Sequence, residues 1–153
     1  MLIPKGDESM VEQDTIRLLR ECDAGVKMGI ASIDDVLGHV KGERFYQKLS
    51  QCKQEHAQLQ SSIDAQLEKF QELGKKPNPI AKGMSWMKTT VKLGIEESDA
   101  TIADLMTDGC NMGVKSLNRY LNQYKAADEV SKDIAKRLIN LEEKLAVDIR
   151  GYL

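Results

Sequence analysis

Apolar residues along this chain recur at alternating steps of three and four residues, the spacing that places them on one face of an α-helix. The first stretch has this spacing at Ile16, Leu19, Val26, Ile30, Ile33, Leu37 and Val40. The preceding residues, Ser9-Met10-Val11-Glu12, have the pattern of a capping box. The pattern predicts a first helix, α1, over about residues 10–40.

Three further stretches repeat this spacing and predict α2 over about residues 43–73, α3 over about 97–124 and α4 over about 127–152. The expected core face of α2 is Phe45, Leu49, Cys52, His56, Leu59, Ile63, Leu67 and Phe70. For α3 it is Ile102, Leu105, Gly109, Met112, Ser116 and Tyr120, with a second seam of Met106, Cys110, Leu117 and Leu121. For α4 it is Val130, Ile134, Leu138, Leu141, Leu145 and Ile149.

The order of the segments predicts two hairpins. Short turns make the members of each pair antiparallel, whereas residues 74–96 between the pairs are too many for a simple turn. Residues 28–37 and 112–121 also resemble each other at one register, so α1 and α3 take equivalent places. We expect a single all-α domain over residues 1–153, a four-helix bundle of two repeated antiparallel hairpins joined by a long, partly helical crossover.

Glycines recur at equivalent positions in this repeat. Gly25 and Gly29 of α1 match Gly109 and Gly113 of α3. A glycine inside a helix costs about 1 kcal/mol relative to alanine, so recurrence favours a use for the missing side chains. The pattern predicts a close approach of α1 to α3, glycine face to glycine face.

Composition narrows the classes of function. A formal charge of −2 does not by itself imply binding to nucleic acid or to an anionic membrane. No apolar run reaches the roughly 18 residues of a membrane span, and the first residues lack the apolar core of a secretion signal. Cys22, Cys52 and Cys110 are odd in number and widely spaced. We therefore expect a cytoplasmic protein with no transmembrane segment and with buried, reduced thiols.

The stretch from Cys110 to Leu117 (CNMGVKSL) and its relative in α1 resemble ferritin-like proteins, in particular uncharacterised bacterial four-helix-bundle domains allied to ferritins. The resemblance implies the fold over nearly the whole chain. Di-iron members of that superfamily use Glu-x-x-His pairs. The two histidines here, His39 and His56, follow Val36 and Lys53 at that spacing. We therefore expect no di-iron site, no catalytic residues and no cofactor.

A reduced metal site is a competing interpretation for the polar residues on core faces. Asp23 interrupts the seam of α1, and His56 with Cys52 lies on the core face of α2. Hairpin pairing predicts that Asp23 and His56 lie at similar depth. We expect Asp23 and His56 to form a structural pair in preference to a metal site. A metal site would need further carboxylates turned inward, for which the candidates are Glu55, Asp104, Asp108 and Glu142.

The crossover concentrates positive charge. Residues 74–95 contain no acidic residue, one aromatic, Trp86, and five lysines: Lys75, Lys76, Lys82, Lys88 and Lys92. One interpretation is a solvated basic face with Trp86 packed on a helix end; another is a contact surface. The leading hypothesis is a non-enzymatic bundle that binds a protein partner or itself through the crossover around Trp86, and not nucleic acid. The alternative is a divergent ferritin-like metal-binding protein for iron or oxidative-stress handling.

Overall fold

The computed structural model describes residues 5–70 and 98–153. These residues form α1 (Lys5–Leu37), α2 (Glu43–Lys69), α3 (Asp99–Gln123) and α4 (Glu129–Ile149), followed by a 3-10 turn, Arg150–Tyr152. The four helices pack as a bundle, and this confirms the predicted all-α four-helix architecture.

The start of α1 differs most from its prediction. The helix begins at Lys5, and the Ser9 hydroxyl accepts from the Gln13 side chain within the helix at 3.2 Å. A capping box favours a helix start but does not force one. At its other end α1 stops at Leu37, directly before Gly38.

The direction of the helices follows from contacts at the two ends of the bundle. Asp99, which begins α3, contacts the turn between α1 and α2. Ala126, just after α3, contacts Asp14 near the start of α1. Thus α1 and α4 run one way and α2 and α3 the other. Residues 74–96, the predicted crossover, lie outside the described residues. The last described residue before it, Phe70, and the first one after it, Ser98, lie at opposite ends of the bundle.

Each hairpin turn is capped by the opposite hairpin. The Asp99 carboxylate accepts from the backbone N–H groups of Lys41 and Gly42, both at 2.8 Å. At the other end the Thr15 hydroxyl accepts from the backbone N–H of Asp128 at 2.8 Å, and Asp14 accepts from the N–H of Ala126 at 3.0 Å. Thr15 and Asp99 are equivalent in the internal repeat, so the two caps are related by the same symmetry as the hairpins.

The core consists of two apolar clusters, one towards each end of the bundle. One is centred on Phe45, Leu49, Ile102 and Ile149 and the other on Leu18, Leu19, Ile63 and Leu138. The predicted core face of α2 is confirmed throughout Phe45–Ile63, but Met112 and Val130 are 59% and 50% exposed, so their core assignments are wrong. In α3, Ile102 and Leu105 of the first seam are buried as predicted, and so are Met106, Cys110 and Leu117 of the second seam. No helix within residues 5–70 and 98–153 has the length and apolar character needed to cross a membrane.

The reciprocal caps predict a measurable loss of stability. Asp99→Ala leaves two turn N–H groups without their acceptor, and we expect the free energy of unfolding to fall by about 1–2 kcal/mol. Asp99→Asn retains one acceptor oxygen and should lose less. Urea denaturation measures both, with Glu129→Ala as the control because Glu129 is an exposed acid in the first turn of α4. Equal losses in Asp99→Ala and Glu129→Ala would contradict the capping role.

Candidate functional site

His56 is an ionisable side chain buried near the middle of the bundle, with 1% of its surface exposed. It lies on the core face of α2, and both ring nitrogens have partners. Nδ1 is 2.8 Å from the backbone carbonyl oxygen of Cys52, one turn earlier. Nε2 is 2.8 Å from Oε1 of Glu142 on α4, whose side chain is 13% exposed. The imidazole thus joins two helices that are distant in sequence.

The hydrogen-bond partners determine where the protons lie. A carbonyl oxygen only accepts, so Nδ1 of His56 carries a proton that it donates to Cys52. A further proton lies between Nε2 and Glu142, since two bare acceptors would repel each other at 2.8 Å. Burial by itself lowers the pKa of His56, but the hydrogen bonds and charges of Cys52 and Glu142 outweigh it and raise that pKa to about 10. At neutral pH the pair is an imidazolium and a carboxylate.

Two thiols complete this group. Sγ of Cys52 is 3.5 Å from Nδ1 of His56, and Cys110 of α3 hydrogen-bonds Glu142. Burial first, and then the Glu142 carboxylate, raises the pKa of the Cys110 thiol. We call Cys52, His56, Cys110 and Glu142 the mid-bundle cluster. Its members come from α2, α3 and α4.

Glycines make room for the cluster. A Cβ atom at Gly29 would lie 2.8 Å from Nε2 of His56, and one at Gly113 would lie 3.6 Å from Oε2 of Glu142. At Gly25 the nearest atom is a methyl carbon of Leu138, at 3.4 Å. The glycine-to-glycine contact expected between α1 and α3 is therefore wrong for these glycines, because they face side chains of α2 and α4. The missing Cβ of Gly29 gives space to an imidazole.

His56 and Glu142 occupy equivalent positions of the two hairpins. The core face of α2 from Phe45 to Ile63 and that of α4 from Ser131 to Ile149 have the same succession of four- and three-residue steps, with His56 and Glu142 each fourth. The two side chains therefore meet across the pseudo-twofold axis that relates the hairpins, and each lies beside the equivalent glycine, Gly29 or Gly113. This common spacing was the sequence signal that could have identified Glu142 as the partner of His56.

Asp23 belongs to a different polar group, so the expected Asp23–His56 contact is wrong. Although only 2% exposed, Asp23 accepts from Lys27 at 2.9 Å and from Gln60 of α2 at 2.5 Å. In the hairpin register Gly29, not Asp23, lies opposite His56. Six residues separate Asp23 from Gly29, about 9 Å along the helix at 1.5 Å per residue. That distance separates Asp23 from His56 and leaves it within hydrogen-bond reach of Gln60, one turn after His56 on α2.

The residues present do not fit the di-iron centre that the resemblance to ferritin-like proteins implies. Asp104 and Asp108 are exposed, and Glu55 accepts from Gln51 on the surface of α2 at 3.3 Å. Both ring nitrogens of His56 are already hydrogen-bonded. Within the described part of the chain, no three His, Cys, Asp or Glu side chains are arranged to hold a metal ion.

Comparisons with protein-family models, with curated proteins and with solved structures find no match to this chain. Its chemistry is therefore inferred from its own residues, and the mid-bundle cluster is the candidate site.

The space beside His56 predicts different effects of alanine at two equivalent glycines. Gly29→Ala drives a methyl group into the imidazole and should destabilise the protein by about 1–3 kcal/mol. Gly113→Ala makes an ordinary contact with Glu142 and should be neutral or stabilising by up to about 1 kcal/mol, owing to the better helix propensity of alanine. Thermal and urea unfolding measure both. Similar destabilisation in the two variants would contradict the assigned packing.

The raised pKa of His56 predicts that stability depends on pH. The folded protein holds the His56 proton above pH 6.5, where the unfolded chain releases it, so the free energy of unfolding falls as pH rises. We expect a decline of at most about 1.4 kcal/mol per pH unit between about pH 6.5 and 7.5, below the range where the thiols of the unfolded chain titrate. Urea denaturation at a series of pH values measures it. A His56→Gln variant that retains the full decline would contradict this origin.

Proposed function

We propose that this chain is a non-enzymatic helical-bundle protein that acts through contacts with protein surfaces, first of all with further copies of itself. The observation that carries the proposal is the use of its buried polar side chains. Thr15, Asp23, His56 and Ser131 are each at most 2% exposed, and all four are hydrogen-bonded within the protein. The buried polar groups thus serve to hold the helices together, and the surface is available to bind a partner.

The layout of the bundle supports a ferritin-like assignment as part of this proposal. Helices α1 and α4 run parallel, α2 and α3 run opposite to them, and a long segment joins the hairpins. The internal repeat relates both the caps at the turns and the His56–Glu142 positions. A fold of this kind hosts many functions, so the function of this chain depends on its surface and its site.

The contact surface that we propose is the basic segment of residues 74–95 around Trp86, which lies outside the described residues. Its five lysines and no acidic residue leave the rest of the chain strongly acidic, so a second copy offers a complementary charge. A tryptophan beside such charges is the side-chain type that interface centres favour. The proposal therefore commits to association between the basic segment of one copy and the acidic bundle of another.

Sedimentation velocity over a series of concentrations tests the proposal. We expect a mass above the 17.1 kDa of one chain, and a return to one chain in Trp86→Ala because an apolar anchor is lost. Met112→Ala is the matched control, since Met112 is an exposed apolar side chain on α3 and should leave the mass unchanged. A single-chain mass at every concentration, with Trp86 shielded from acrylamide quenching in the monomer, would contradict self-association.

Metal binding is the alternative hypothesis from the sequence. A metal at the mid-bundle cluster would have to replace the direct His56–Glu142 hydrogen bond. We expect protein loaded with iron, manganese or zinc and freed of excess to retain no stoichiometric metal in elemental analysis. Near-stoichiometric metal that is lost in His56→Ala would overturn this expectation and favour the metal-binding alternative.

A further inference from the structure

The three free cysteines lie in electrostatically different surroundings. Cys22 is completely buried, and burial together with Glu21 and Asp23 raises its pKa to about 12. Cys110 is 2% exposed and lies beside Glu142, which raises its pKa as well. Two of the thiols thus face carboxylates, which disfavour the thiolate. Cys52 is the one whose sulfur lies beside a protonated imidazole.

Cys52 also differs in its access to solvent. It lines an open groove of about 210 Å³ between α2 and α4 and is 7% exposed. Two lysines and two carboxylates line the same groove, Lys48, Lys144, Glu55 and Asp148, together with the apolar Leu145, so a small polar molecule can enter. The groove and the mid-bundle cluster therefore share one residue, Cys52.

We propose that Cys52 is a reversible oxidation site that reacts with small hydroperoxides to give a sulfenic acid. The thiolate is the nucleophilic form of cysteine, and an adjacent positive group favours it. The His56 imidazolium supplies that charge 3.5 Å from Sγ and is held in place by Glu142. A hydroperoxide is small enough for a groove of about 210 Å³ that is lined by Cys52. This proposal is independent of the proposed self-association.

The reaction needs only the thiol and the peroxide. Sγ of Cys52 attacks one peroxide oxygen, an S–O bond forms and the O–O bond breaks. Sulfur gives two electrons to the peroxide, and the proton lost from the thiol ends on the leaving hydroxide or alkoxide, which departs as water or as an alcohol. Cys52 becomes a sulfenic acid, which a thiol reductant returns to the thiol. His56 keeps both protons throughout, because the carbonyl of Cys52 and the Glu142 carboxylate each need one, and it acts by its charge.

Hydrogen peroxide with dimedone, a reagent that traps sulfenic acids, tests the assignment on the full chain. After quenching and unfolding, peptide mapping by mass spectrometry gives the labelled fraction of each cysteine. We expect Cys52 to be labelled at least about tenfold faster than Cys22 and Cys110, because it lines the groove and its sulfur lies beside a positive charge, whereas the other two thiols are buried beside carboxylates. Cys22 and Cys110 are matched controls within the same molecule, and the comparison requires no substitution.

His56→Gln tests the role of the imidazolium. This variant removes the charge beside Sγ, and we expect the labelling rate of Cys52 to fall at least about tenfold while Cys22 stays unchanged. Circular dichroism establishes that the variant is folded. Equal labelling of all three cysteines in native protein would overturn the proposal, as would a folded His56→Gln variant in which Cys52 reacts at the original rate.

Discussion

The hydrogen-bonded ion pair between His56 and Glu142 is the interaction on which the centre of this bundle depends. It joins α2 to α4 at 2.8 Å in a position almost shielded from water. Transferring two charges to such a place is costly, and only close pairing with satisfied hydrogen bonds offsets the cost. Shifting α2 against α4 by one residue would leave both groups unpaired. The pair therefore specifies one register, whatever its net contribution to stability.

The internal repeat extends this logic to both ends of the bundle. Thr15 and Asp99 lie at equivalent positions, and each accepts hydrogen bonds from backbone N–H groups in the turn of the other hairpin. His56 and Glu142 are equivalent as well, yet they carry opposite charges and so can pair across the pseudo-twofold axis. Two identical residues at that position would repel each other or compete for one proton. The difference between the two repeats at this position, a histidine in one and a glutamate in the other, thus allows the hairpins to pair.

The His56–Glu142 pair also gives two thiols of the protein different electrostatic surroundings. Glu142 lies against Cys110 and disfavours its ionisation, whereas His56 presents a positive charge to Cys52. One ion pair therefore places a negative charge beside Cys110 and a positive charge beside Cys52. Cys52 also lines the groove between α2 and α4, so its side chain lies at the boundary between these two helices.

Local periodicity in the sequence determined the four helices, the antiparallel hairpins, the core face of α2 and the burial of His56, since each depends on residues a few positions apart. Only the tertiary structure decided which buried groups meet. Asp23 pairs with Gln60 and His56 with Glu142 because helix register, not polarity, sets depth. The rotation of each helix about its own axis determines which side chains face the core. It places Gly29 against the imidazole of His56 and leaves Met112 exposed to solvent. Rotation and register are properties of packing between helices, which no single segment encodes.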